Sequence, residues 1–160
     1  MRFIRLAALL AALVAPIGAA FGQATAYNAI PVTVATLSIP SASILTAKTT
    51  PVAVLPTPPS GFAYLILGAS ATLNYKSATY SSTACGLYYH GTTQLALSAN
   101  LNTTVDGAAS VAAMISGLAA GNIALANLTT LGIDFACTTA DPTTGDSPLK
   151  ITVAYVLIPL

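Results

Sequence analysis

"FAYLILGASATLNYKSATY", Phe62 to Tyr80, is the longest strand signal in the chain and decides its fold class. Phe62, Tyr64 and Ile66 alternate with Ala63, Leu65 and Leu67, the two-residue period of a pleated strand. Gly68 interrupts the run at a place that suits a bulge or a close backbone approach. Leu73 and Tyr75 then resume the alternation. A stiff turn, "PTPPSG" (Pro56 to Gly61), leads into it.

Working outward, short β-branched runs separated by turn residues recur on both sides. "VTVATLSI" (Val32 to Ile39), "SILTA" (Ser43 to Ala47) and "PVAVLP" (Pro51 to Pro56) precede it. "GLYYH" (Gly86 to His90), "TQLALS" (Thr93 to Ser98), "NIALANL", "GIDFACTT" and "LKITVAYVLI" follow, each with strand-like patterning. Many short strands with turns between them predict a mainly β chain, an antiparallel, jelly-roll-like β-sandwich. One stretch breaks the pattern. In "DGAASVAAMISGLAAG", Asp106 to Gly121, Val111, Met114, Ile115 and Leu118 recur at helical spacing. Asp106 suits an N-cap and Gly121 a C-terminal stop, so a short helix or helical loop is expected there.

The last stretch, "DPTTGDSPLKITVAYVLIPL", divides in two. Its first six residues read as a Pro/Gly turn, with Gly145 at positive φ and Asp146 closing it. The remainder is a strand apolar on both sides towards its end, which is unlike a solvent-facing edge and predicts burial in the core and against a neighbour.

Only 6% of the 160 residues are charged, against roughly 25% in an average soluble domain, and Glu is absent. With 55% hydrophobic residues, the composition argues against disorder, and the lack of any Lys/Arg cluster argues against nucleic acid as a partner. So few charges protect a free monomer poorly against association, so surface burial between subunits is expected. The opening "MRFIRLAALLAALVAPIGAAFGQATA" places Arg2 and Arg5 before a short apolar core, with small residues at Ala20 and Gly22 and at Ala24 and Ala26. That is the build of a secretory signal peptide, with an uncleaved N-terminal anchor as the alternative. Residues 1–26 are therefore assigned as signal or anchor and residues 27–160 as a single β-sandwich domain. No other segment is long and apolar enough to cross a bilayer as a helix.

Catalysis needs convergent titratable groups. Beyond residue 26 the acids are Asp106, Asp134, Asp141 and Asp146, and His90 is the sole imidazole. No GxSxG, HExxH, P-loop or GxGxxG motif occurs, so no catalytic residue and no cofactor is assigned. Asp141 and Asp146 are the candidate metal ligands, in a "DPTTGD" run that lacks EF-hand spacing and reads better as a turn. Cys85 and Cys137, an even count behind a signal-like segment, predict one disulfide. Tyr88, Tyr89 and His90 form a candidate contact patch, for a sugar or a protein, with ordinary strand packing as the plainer reading.

The stretch from "IPSASILTAKTTPVAVLPTPPSGFAYLILGASATLNY" through "YYHGT" to "DPTTGDSPLKITVAYVLI" resembles small β-rich structural proteins of tailed bacteriophages. The matching positions are Leu45, Thr50, Pro51, Pro59, Gly61, Pro142, Gly145, Asp146 and Tyr155, mostly turn and strand residues, over Ile39 to Ile158. The resemblance implies a β-sandwich virion subunit, as a decoration, fibre or spike component, with no catalytic residues. Residues 1–26 stand outside that pattern. The expected function is thus a non-enzymatic structural subunit whose partners are copies of itself and other assembly proteins, on a virion. The alternative is an exported bacterial surface, pilus-like or glycan-binding adhesion protein, periplasmic, cell-surface or extracellular.

Overall fold

The computed structural model describes residues 31–81, 84–93, 95–96, 100–116 and 125–160. The expected signal or anchor at residues 1–26 lies outside them. Nine strands are described: β1 (Thr33–Ile39), β2 (Val52–Leu55), β3 (Phe62–Leu73), β4 (Tyr80–Ser81), β5 (Cys85–Tyr89), β6 (Val111–Ser116), β7 (Ile133–Cys137), β8 (Thr143–Thr144) and β9 (Leu149–Pro159). Three short helices join them: α1 (Ser41–Ile44), α2 (Asn102–Val105) and α3 (Leu125–Thr130).

A four-stranded sheet runs β1-β9-β3-β6 and a three-stranded sheet runs β2-β7-β5; β4 and β8 make a small ribbon. Every pairing is antiparallel. The pairs are nested: β1 with β9, β2 with β7, β3 with β6, and finally β5 with an isolated bridge from Tyr88 to Leu95. The chain thus resembles one long antiparallel ribbon, out through β1, β2, β3 and β5 and back through Leu95, β6, β7 and β9. Rolled up, with β9 also pairing β3 and β7 also pairing β5, that ribbon is a jelly roll, and the mainly β, antiparallel expectation holds.

The two sheets share one core. Leu73, Leu149 and Ile151 from the larger sheet pack with Leu55, Leu87, Ile133 and Phe135 from the smaller, all essentially inaccessible. β3 shows how the sequence achieves this. Tyr64 and Ile66 face inward, then the register shifts between Ile66 and Gly68, and Ala69, Ala71 and Leu73 face inward instead. One extra residue, Leu67, switches the inward set from even to odd positions. At the bulge a Cβ on Gly68 would stand 3.2 Å from the Ile115 carbonyl oxygen, so β6 approaches closely there. β9 lies between β1 and β3, consistent with its apolar character on both faces.

The helix expected over Asp106 to Gly121 is corrected. Within the described residues, helix α2 stops at Val105, with Asp106 its C-cap rather than an N-cap, and Val111–Ser116 is strand β6. Val111 and Ile115 satisfy a strand's odd-numbered face as well as a helical stripe, and pairing with β3 selects the strand. Met114, which a helix would have turned inward, is 88% exposed. Two expected strands are helical instead. "SILTA" overlaps α1, where Pro40 opens a turn of helix and Ile44 and Ala47, three residues apart, reach the core. "NIALANL" contains the start of α3, which packs Leu128 against the core, with Leu131 following. "TQLALS" contributes, among the described residues, only the Leu95 bridge.

Candidate functional site

The outer face of the four-stranded sheet is an unusual surface. Strand alternation puts Val34, Thr36 and Ser38 of β1 on it, with Lys150, Thr152 and Ala154 of β9, Ser70 and Thr72 of β3, and Ala112 and Met114 of β6. Apart from Lys150, the central strands carry small side chains there, while Val34 (60% exposed) and Met114 stand proud at the two edge strands. A trough of about 370 Å³ lies between them, lined by Val34, Leu67, Ser70, Met114, Thr152 and Ala154. Its polar groups are hydroxyls, and Thr36 and Thr152 bond to each other across β1 and β9 at 3.1 Å. Lys150 is the one formal charge that alternation places on this face. Further along β3, beyond the bulge, Leu65 is also exposed on this side, paired with the buried Val156 of β9. The face is therefore poor in charge, with hydroxyls over much of it and exposed apolar side chains at Val34, Leu67 and Met114 around the trough. No helix among the described residues is long and apolar enough to cross a membrane.

Strand geometry divides the expected contact patch at Tyr88, Tyr89 and His90. Neighbouring strand residues point to opposite faces. Tyr89 therefore enters the core, while Tyr88 lies on the outer side of the three-stranded sheet with its hydroxyl donating to the Ala84 carbonyl at 2.8 Å. Both rings are buried. Burial pushes the Tyr89 phenol above its ordinary pKa. His90 is the exposed member, and its Nδ1 lies 2.6 Å from Oδ2 of Asp134, a carboxylate on β7 that is itself 3% exposed. The sequence reading passed over Asp134, although an acid inside the apolar run "IDFAC" is the signal of a buried polar site. Among the described residues no hydroxyl bonds the imidazole, as a nucleophilic triad requires.

Asp141 and Asp146 act as staples between loops. Asp141 Oδ1 accepts from the backbone N–H of Lys48 at 2.6 Å and of Thr49 at 3.0 Å, and its Oδ2 accepts from the Thr49 hydroxyl. Asp146 Oδ2 accepts from the Ser77 hydroxyl at 2.6 Å, and Oδ1 from the backbone N–H of Ser77 and Ala78. Each carboxylate thus ties the stretch before β9 to a different distant loop. Among the described residues no cluster of three or more His, Cys, Asp or Glu is present.

The Thr49 hydroxyl, helped by neighbouring N–H groups and the Lys48 charge, holds the Asp141 carboxyl below its usual range. The Ser77 hydroxyl and the Ala78 N–H do the same, more strongly, for Asp146. Depressed native pKa values mean that the ionised forms stabilise the fold above the unfolded carboxylate pKa of about 4. That stabilisation is lost as pH falls from there towards the native values. The expected result is an acid limb in a pH series of urea midpoints below about pH 4, and a shallower limb in Asp146→Asn. An unchanged limb in the variant would contradict the stapling role.

Cys85 and Cys137 stand directly opposite each other on β5 and β7, with their Sγ atoms 1.95 Å apart. Both are buried. Asn102 of α2 accepts from the Cys85 N–H at 2.7 Å, which fastens that helix to the same strand.

No protein-family model and no curated protein matches the chain. Among solved structures it is similar to a chain described as "Cyanophage Pam1 capsid asymmetric unit", with 15% identity and a TM-score of 0.47. The match covers 80% of this chain and 84% of that one.

Proposed function

We propose that this chain is a non-enzymatic structural subunit that assembles with copies of itself, through the outer face of the β1-β9-β3-β6 sheet, into a virion component of the decoration or fibre kind. The observation that carries the reading is that face: nearly uncharged, with Lys150 its one formal charge, covered largely by hydroxyls, and grooved by a trough between the exposed Val34 and Met114. Such a surface offers almost nothing to an ionic partner and little repulsion to a copy of itself. Removing it from water also answers the scarcity of charge over the whole chain. The virion context rests on the resemblance carried by the turn and strand residues from Leu45 to Tyr155. Residues 1–26, as signal peptide or retained anchor, would set whether the subunit is exported before it assembles.

Burying a lysine ammonium in an apolar contact is costly, so a charge placed at the rim should dissolve the assembly. Met114→Lys combined with Val34→Lys is expected to shift the protein to single chains in sedimentation velocity, with an unchanged far-UV spectrum. Because both side chains are exposed, the fold should not suffer. An assembly that survives the double substitution would place the contact elsewhere.

A further inference from the structure

On the outer side of the three-stranded sheet lies a second cleft of about 210 Å³. Asp134, Tyr88, Lys48, Thr92, Thr93 and Thr138 contribute to its lining. β7 positions Asp134 there: Ile133 and Phe135 on either side of it go into the core, so alternation turns the carboxylate outward, opposite Tyr88 of β5 and Ala53 of β2. The carboxylate is nonetheless 97% buried, from a relative exposure of 3%. A charge that deep is expensive unless its acceptor sites are filled. Oδ2 faces His90 Nδ1, and the structure gives Oδ1 no protein donor among the described residues.

We infer that this cleft binds a neutral, polyhydroxylated ligand of monosaccharide size, whose hydroxyls donate to the Asp134 carboxylate. Three features of the cleft select that chemistry. Its volume of about 210 Å³ lies below the roughly 300 Å³ where drug-sized pockets begin, which suits a ligand the size of one sugar ring. Its charges nearly cancel, since the Lys48 ammonium opposes Asp134 while also facing Asp141, so no strong field favours a free ion. Its remaining groups are hydroxyls and the Tyr88 ring, which the bond to the Ala84 carbonyl holds in one orientation. A carboxylate beside an aromatic ring matches a molecule that has a C–H face and a rim of donors. The inference is independent of the assembly face, because its residues belong to the other sheet, as Tyr88 and Asp134 do, or to loops, and none lies on the β1-β9-β3-β6 face.

Saturation-transfer NMR on the full chain tests it, with the methyl glycosides of glucose, galactose, mannose and N-acetylglucosamine as probes and arginine methyl ester as a cationic probe. Transfer to at least one glycoside is expected, with affinity lowered by about tenfold or more in Asp134→Asn, which loses a charge-assisted hydrogen bond. Thr93→Phe, an exposed position at the cleft, fills the space without touching the core and should abolish the transfer, which keeps the test decisive if Asp134→Asn folds poorly. Absence of transfer to every glycoside overturns the inference. So does glycoside binding that both variants leave intact, or binding of the arginine ester alone.

Discussion

Replacing Cys85 and Cys137 together by alanine is expected to lower the unfolding free energy by about 4 kcal/mol. The two residues are 52 apart in sequence, and closing a loop of that length in the unfolded chain removes about this much conformational entropy in the chain-entropy model. The loop is not a surface excursion: it includes α2, β6, α3 and β7, and so reaches both sheets. Both cysteines are buried at the end of the three-stranded sheet, where alanine leaves no unsatisfied polar atom. Against a total of roughly 5–15 kcal/mol for a domain, the loss is large, and urea unfolding of the wild type with and without reductant should reproduce it. Mass spectrometry after alkylation checks the bond itself. The unreduced, denatured chain should take up no alkylating groups and the reduced chain two; free thiols in the unreduced protein would refute the pairing.

Gly145→Ala is expected to cost about 3 kcal/mol, from two separable causes. Gly145 has a φ of 85°, where an alanine is strained. Its Cβ would also land against the ring of Tyr80. That ring cannot withdraw, because it is buried and its hydroxyl donates to the Ser147 carbonyl at 2.6 Å. Burial, reinforced by the nearby Asp146 charge, pushes its phenol up to about 12, so it stays a neutral donor throughout the ordinary pH range. Gly91→Ala is the control: its φ of 70° carries the same strain, but no atom lies within 4 Å of the new Cβ. It should cost about 1 kcal/mol. Equal losses at the two positions, read from urea midpoints, would show that the collision with Tyr80 contributes nothing.

The strands that were legible in the sequence are those whose alternation is long. β3 and β9 run for twelve and eleven residues, and even the bulge was marked by Gly68. β6 was misread because an Ala-rich run with Val111 and Ile115 four apart fits both periods, and only its partner β3 decides between them. α1 and α3 are four and six residues long, too short for a helical stripe to show. The nested winding was expected only as a class, because which strand pairs with which is a non-local matter.

The same limit applies to the sites. Asp146 was read as closing its own turn, yet it holds Ser77, 69 residues earlier, and Asp141 holds Lys48 across 93 residues. Tyr88 and Tyr89 looked like one patch until strand alternation separated them. Asp134 was the site residue that the sequence did mark, by its polarity between Ile133 and Phe135.

Self-association through the outer sheet face is the central claim, and light scattering coupled to size-exclusion chromatography tests it most directly. For the purified chain at micromolar concentration, the account predicts a mass at a whole multiple, two or more, of the single-chain mass, which is 16.0 kDa for the full 160 residues and less if residues 1–26 are removed. A single sharp species at one chain mass would contradict it.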